Sequence, residues 1–275
     1  MTPAHQEPVL RVALAGFGAI GGALAKRLDE GMVGLQLVAV SARDHEGARQ
    51  RMHALAGPVP VLPLAELAER AEVVVECAPP AVFREVAEPA IEAGRIFMPA
   101  SVGQLLEHED LIDRAAQTGA RILVPTGALL GLDAVRAAAQ GTIESVTMVT
   151  RKPPRGLAGA PHLEAHGIVV EGLDAPLKVF EGSAREGARG FPANVNVAAA
   201  LSLAGIGPDR TRLEIWADPG VTRNTHRIVV EADSARFEMT IENLPSEENP
   251  RTGKITALSM IAALAALRAP LKVGT

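Results

Sequence analysis

Along the first half of the chain, short apolar runs alternate with stretches whose apolar positions recur at helical spacing. Val9–Ala15 is apolar except for Arg11, and Ala19–Glu30 follows it with helical periodicity. Leu35–Ser41 reads as a second strand. The amphipathic Leu64–Arg70 precedes Val73–Cys77, a run rich in β-branched residues. Ala81–Ala93 reads as a helix, with a kink predicted at Pro89. Arg95–Ala100, Gln104–Thr118 and Arg121–Pro125 continue as strand, helix, strand. Strands with so little polar alternation, separated by helical stretches, predict a parallel sheet covered on both faces.

The texture changes after Gly127. Thr142–Arg151, Ile168–Val170, Leu213–Ala217, Ile228–Glu231 and Arg236–Ile241 read as strands with more polar alternation, which suits a sheet with one exposed face. Ala198–Leu203 belongs to a short helix, and Thr256–Arg268 closes the chain as another. Pro153–Pro161 and Glu247–Gly253 are turn-rich, the first long enough to serve as a mobile cover. The 275 residues suit about two domains. The boundaries expected are an α/β doubly wound parallel-sheet domain over 1–127, completed by the C-terminal helix in 247–275. A second α/β domain over 128–246, with a mixed or antiparallel sheet, is expected to carry substrate and dimer contacts.

Composition narrows the function classes. Apolar residues make up 48% and charged residues 21%, the balance of a globular protein rather than a disordered or fibrous one. The net charge of −5 offers no basic field for phosphates, so no nucleic acid is expected as partner. With six Phe, one Trp and no Tyr, stacking platforms for single strands are missing too. The single Cys77 excludes a disulfide framework or a cysteine-built zinc site. The uncharged run Gly190–Pro208 is broken by Gly and Pro, so no membrane span is expected. Glu7 precedes the first apolar run without a basic region before it, so no signal peptide is expected and the chain reads as cytoplasmic.

Gly16-Phe17-Gly18-Ala19-Ile20-Gly21 follows a predicted strand and opens a predicted helix. In that context the first glycine makes a tight turn, the second admits a pyrophosphate and the third lets helix and strand pack closely. Helix N–H groups then face the phosphates. The first domain is therefore of the Rossmann type, with NAD or NADP as the expected cofactor. The end of the second strand offers Ser41, Arg43 and Asp44 rather than an immediate carboxylate. A small hydroxyl residue followed by Arg tolerates a ribose 2′-phosphate, which predicts that NADP is accepted. Cys77 ends a predicted strand at the ligand-binding edge of the sheet, followed by Ala78; its thiol is either a small core group or a neighbour of the nicotinamide. His162 and His166 have the spacing of one helical face, but the nearby glycines argue against a helix and no third ligand is evident, so no metal site is expected.

Several unusual strings line up along the chain: Glu76-Cys77-Ala78-Pro79, Pro125-Thr126-Gly127-Ala128 with Gly131-Leu132-Asp133, and Phe191-Pro192-Ala193-Asn194-Val195-Asn196-Val197-Ala198. Ala217-Asp218-Pro219, Asn224-Thr225-His226 and Asn249-Pro250-Arg251-Thr252 follow. With the glycine loop, this set resembles the L-aspartate dehydrogenase family over nearly the whole chain. The resemblance implies that His226 is the catalytic residue and that Ala128 contacts the cofactor. It also implies that one of Asn194 and Asn196 does so, without deciding which. Gly187 departs from the helix-favouring residue expected there.

The implied reaction is the reversible oxidation of L-aspartate through iminoaspartate to oxaloacetate and ammonia. It would serve NAD biosynthesis or aspartate catabolism with the same chemistry. An imidazole is suited to move protons near neutral pH. A dicarboxylate needs cations or donors, and Arg151, Lys152, Arg223, Arg227 and Arg251 lie near the informative strings. Lys152 and Arg251 are the choices, with Asn224 and Thr252 as amide and hydroxyl partners. The active site is expected in the cleft between the domains, in a homodimer. The alternatives are a dihydrodipicolinate-reductase-like or homoserine-dehydrogenase-like enzyme acting on another small acid, and a non-catalytic NAD(P)-binding redox sensor.

Overall fold

The computed structural model describes residues 8–192, 195–246 and 253–274. Its contacts divide into two units. The first comprises Met1–Ser101, His108–Pro125 and Met260–Lys272, and the second Val102–Glu107, Thr126–Ser259 and Val273–Thr275.

The first unit alternates strand and helix: β1 (Leu10–Ala15), α1 (Ala19–Asp29), β2 (Leu35–Ser41), α2 (His45–Met52), α3 (Leu67–Arg70), β3 (Val73–Glu76), α4 (Phe83–Glu92), β4 (Ile96–Pro99), α5 (Asp110–Thr118) and β5 (Arg121–Ile122). The five strands form one sheet in the order β2-β1-β3-β4-β5, and every pairing is parallel. All of β3 is buried, as its three consecutive valines require in a sheet covered on both faces, and Glu76 at its end is buried with them. Val12, Leu14, Leu24, Leu37, Val73 and Met98 build the core, joined by Met260 and Leu264 from the C-terminal helix.

The second unit runs α6 (Leu132–Ala138), β6 (Ile143–Lys152), α7 (Pro161–His166), β7 (Leu177–Ser183), α8 (Ala184–Gly190), α9 (Asn196–Ala204), β8 (Thr211–Ala217), β9 (Asn224–Ala232) and β10 (Arg236–Asn243), and α10 (Lys254–Ala266) closes the chain. Its sheet has the order β10-β9-β6-β8-β7, with β6 and β8 parallel and the other neighbours antiparallel. Alternation gives it one buried face, with Val146, Met148, Leu213, Ile215, Ile228 and Val230. The opposite side carries exposed ion pairs, including Arg227–Glu238 and Arg236–Glu231 across adjacent strands. Among the described residues, no helix is long and apolar enough to cross a membrane.

Three expectations need correction. Ile168–Val170 is not a strand: Gly167, at φ +62°, ends α7, and Val169 is exposed. The strand lies further on, at β7, where a register shift between Lys178 and Phe180 leaves the adjacent Val179 and Phe180 both buried. That bulge erases the period-two pattern from the sequence. Second, Gln104–Thr118 is not one helix, because a 3-10 segment at Val102–Leu106 precedes α5. Third, His162 and His166 do lie on a helix, α7, with Pro161 at its start and the glycine only at its end, where a left-handed residue belongs. Pro89 lies inside α4 and does not end it. Gly187 has a packing reason: a Cβ there would stand 2.5 Å from Leu213 Cδ2, so α8 sits close on β8.

Candidate active site

In the first unit, the strand ends of β1, β2 and β3 meet around the glycine loop. Gly16, at φ +109°, donates its N–H to Ser41 O at 2.9 Å, and Cys77 N–H donates to Ala15 O at 2.8 Å. A Cβ on Gly16 would stand 2.4 Å from Cys77 O, and one on Gly21 would stand 2.1 Å from Gly16 O. A Cβ on Gly18 would meet nothing within 4 Å. Gly18 caps α1 with no side-chain hydrogen bond and no acidic residue in the first turn, so helix N–H groups and open space coincide at Gly18, Ala19 and Ile20. A dinucleotide diphosphate fits that arrangement.

Around it, Ser41 is buried and Arg43 exposed, while Asp44 accepts from Gly47 N–H at 2.9 Å to cap α2. The carboxylate nearest the end of β2 is thereby committed to a helix. The Cys77 thiol donates to Gly16 O at 3.2 Å, and burial pushes its pKa up, so it stays protonated and helps close the loop.

Glu76, the last residue of β3, was quoted in the sequence strings without a role. It is buried, and its carboxylate accepts from Ala78 N–H at 3.0 Å, Ser101 N–H at 2.9 Å and Ser101 Oγ at 3.1 Å. It ties the loop after β3, with Ala78, to the loop after β4. Burial outweighs these donors and raises its carboxyl from 4.5 to about 7. Between those values the folded chain holds a proton that the unfolded chain has released, so stability falls as pH rises through that window and is flat above it. Relative to Glu76→Gln, the wild type is expected to lose on the order of 3 kcal/mol between pH 5 and pH 8. Denaturant melts of both proteins at the two pH values measure this, and parallel curves would remove Glu76 as the source.

In the second unit, the buried face of the sheet turns polar at one end. Val146 and Met148 are followed on the same face of β6 by Thr150 and Lys152, and His226 on β9 is the register partner of Thr150. Thr150 Oγ1 and His226 Nδ1 are 3.1 Å apart and hydrogen-bonded, which leaves Nε2 for chemistry. His226 is 2% and Lys152 5% exposed. Burial and the neighbouring Lys152 charge push the imidazole down to about 3, and burial lowers the lysine to about 8. Thr150 escaped the sequence reading, although alternation along β6 already places it on the inward face.

Lys152 lines a cavity of about 670 Å³, together with Arg155, Arg223, Asn224 and Asn243. The segment after β6 that forms a wall of it, including Arg155 and Gly156, is the stretch expected as a cover. Arg155 went unmentioned in the sequence reading because one exposed Arg in a loop carries no pattern. No carboxylate side chain lines the cavity among the described residues. Arg151 is paired with Asp218 at 2.9 Å and Arg227 with Glu238, while Arg223, within the lining, has Glu242 at 3.9 Å.

Asn243 donates from Nδ2 to Ala128 O at 3.0 Å, and its buried Oδ1 has no partner among the described residues. Asn196 opens α9, and its Oδ1 accepts from Gly103 N–H at 3.0 Å. Asn194, Arg251 and Thr252 lie outside the described residues. His162 and His166 stack at 4.0 Å beside Phe180 and Phe191, and no group of three or more metal-ligating side chains occurs among the described residues.

Residues 133–267 match the family described as aspartate dehydrogenase, C-terminal, and residues 16–125 match the homoserine dehydrogenase NAD-binding domain. An L-aspartate dehydrogenase of Bradyrhizobium diazoefficiens is 58% identical over 275 residues, covering 100% of this chain and 98% of the relative. L-aspartate dehydrogenase 3 of Bordetella bronchiseptica is 57% identical, over 97% of this chain and 98% of the relative. The crystal structure of aspartate dehydrogenase from Thermotoga maritima shares the fold, with a TM-score of 0.74 at 24% identity over 96% of this chain and 99% of that one. With full-length identity at this level, the chain belongs to the L-aspartate dehydrogenase family.

Proposed function

We propose that this protein is an NAD(P)-dependent L-aspartate dehydrogenase, converting L-aspartate through iminoaspartate to oxaloacetate and ammonia, reversibly. The observation that carries it is the 58% identity to an L-aspartate dehydrogenase across the whole chain. The cation-lined cavity beside the buried His226–Thr150 pair supports the same substrate class.

The glycine loop of the first unit holds the cofactor diphosphate, and Ala78 and Ala128 contact the cofactor. One of Asn194 and Asn196 contacts it as well. The bound nicotinamide supplies the hydride acceptor. In the second unit, Arg155 and Arg223 line the cavity, and their planar guanidinium forks match carboxylates, so they hold the substrate's carboxylates. Asn224 adds an amide, and Arg251 and Thr252 belong to the same reading through their family string. Thr150 fixes the imidazole of His226, whose free nitrogen takes a proton from the water that attacks the imine. A homodimer in the cytoplasm completes the reading.

The test is formation of reduced cofactor by the purified protein, with L-aspartate, D-aspartate, L-glutamate and L-homoserine in parallel. Turnover confined to L-aspartate is expected; L-homoserine as the better substrate would move the function toward the enzyme named in the N-terminal match. Because Asp44 is committed to α2, NADP+ is expected to serve alongside NAD+. Arg43→Ala should raise KM for NADP+ about tenfold and leave that for NAD+ unchanged. An equal change for both cofactors would free Arg43 of this role.

A further inference from the structure

Two nitrogen bases sit at the polar end of the buried face, and they are not equivalent. Lys152 lines the cavity, whereas His226, on the neighbouring strand β9 in the register of Thr150, is not among its lining residues. We propose that Lys152 is a catalytic acid–base group, its Nζ taking the proton from the ammonium of the bound amino acid and returning it to nitrogen before ammonia leaves. This rests on the dehydrogenase reading above, and it replaces the carboxylate-binding role expected for Lys152 from sequence.

The chemistry needs such a group. The amino acid arrives as an ammonium, whose nitrogen has no lone pair. One N–H bond breaks, its electron pair stays on nitrogen, and the proton goes to Nζ. The Cα–H pair then leaves as hydride to NAD(P)+, which is reduced, while the nitrogen pair forms the C=N bond. Water adds to that carbon. Nζ returns its proton to nitrogen, the C–N bond breaks with its pair leaving on ammonia as the C=O bond forms, and the two water protons pass in turn through His226 to solvent, where one of them converts the released ammonia to ammonium.

The placement favours Lys152 for the first and last of these transfers. It is buried yet reaches the cavity. A desolvated amine is a poor permanent counter-ion, while the guanidiniums of Arg155 and Arg223 in the same wall are suited to carboxylates. Among the described residues, the ionisable groups near it include His226 from β9, Arg155 and Arg223 of the same cavity wall, the latter with its partner Glu242, and Asp218 after β8, whose N–H donates to Lys152 O and whose carboxylate pairs with Arg151. Burial brings the lysine to about 8, so a useful fraction is neutral at working pH.

The experiment compares wild type, Lys152→Met, Lys152→Arg and Lys152→Cys. It reads pH profiles of kcat/KM for L-aspartate, NAD(P)H binding by fluorescence and thermal midpoints. The wild type should show a limb near pH 8. Lys152→Met and Lys152→Arg should each lose about 1,000-fold in kcat/KM and lose the limb, with cofactor binding and midpoint kept. Alkylating Lys152→Cys with 2-bromoethylamine should restore turnover with the limb at lower pH, because the thioether makes that amine less basic. Full activity in Lys152→Arg, or a limb near pH 8 surviving in Lys152→Met, would overturn the proposal. So would a raised KM with unchanged kcat, which is the mark of a carboxylate clamp. A folded wild type inert toward L-aspartate would instead overturn the dehydrogenase reading, and this proposal with it.

Discussion

Replacing His226 with Ala is expected to lower kcat for L-aspartate by about three orders of magnitude while NAD(P)H affinity stays within about twofold. The expectation comes from where the imidazole sits. It is buried on the inward face of β9 with Nδ1 held by Thr150, and burial and the nearby lysine both disfavour its cation. His226 therefore works from its neutral form throughout the physiological range, and it contributes no limb to the pH profile between about 5 and 9. The expected signature is a large drop in kcat with an unshifted pH profile, measured with thermal midpoints as a control. The control matters because the truncation also removes packing, at a cost of a few kcal/mol. A folded variant turning over at the wild-type rate would take His226 out of the mechanism. Thr150→Val should reproduce part of the loss, since it keeps the shape and removes the hydrogen bond that orients the ring.

Much of the fold was legible in the sequence because two of its signals are local. The mainly apolar runs of β1 and β3 sit beside a glycine loop that has to follow a strand and open a helix. That pattern can be read without knowing any neighbour. The second unit hid more. β7 was missed because its bulge puts Val179 and Phe180 inward together. α8, seven residues long, is too short to show a helical period, and its local signal is the capping box of Ser183 and Glu186. At the site, His226 came from a family string, whereas Thr150, Arg155 and Asn243 could not be reached that way. Thr150 matters because β6 and β9 are in one register, Arg155 because it reaches a cavity wall, and Asn243 because it meets Ala128 far along the chain. Apart from the inward alternation of Thr150 along β6, those are tertiary facts with no local signature. Lys152 was found for its charge, and its burial changes the chemistry that the charge performs.

Gly21→Ala and Gly18→Ala are expected to fail in different ways, although both break the same motif. At Gly21 the obstacle is the protein itself. A Cβ would lie 2.1 Å from Gly16 O and 3.1 Å from Cys77 Sγ, and the first is backbone that cannot swing aside. Relieving the overlap means pushing α1 off the end of β1, which costs roughly 1–3 kcal/mol of stability or more. The shift also displaces the N–H groups that would meet the diphosphate. Both the thermal midpoint and NAD(P)H affinity should fall, the affinity by at least about 100-fold, since lost charge-assisted hydrogen bonds add up quickly. At Gly18 the protein offers no obstacle within 4 Å, so the midpoint should hold, within about 0.5 kcal/mol. Only the ligand competes for that space. Affinity for NAD(P)H should drop tenfold or more, with the loss confined to molecules that carry the diphosphate; nicotinamide mononucleotide should bind both proteins alike. Calorimetry with the two ligands separates the cases. A Gly18→Ala protein that binds NAD(P)H as tightly as the wild type would mean that the diphosphate does not approach the backbone at the start of α1. The other features of that loop, including the cysteine thiol on Gly16 O, would then have to be explained as packing alone.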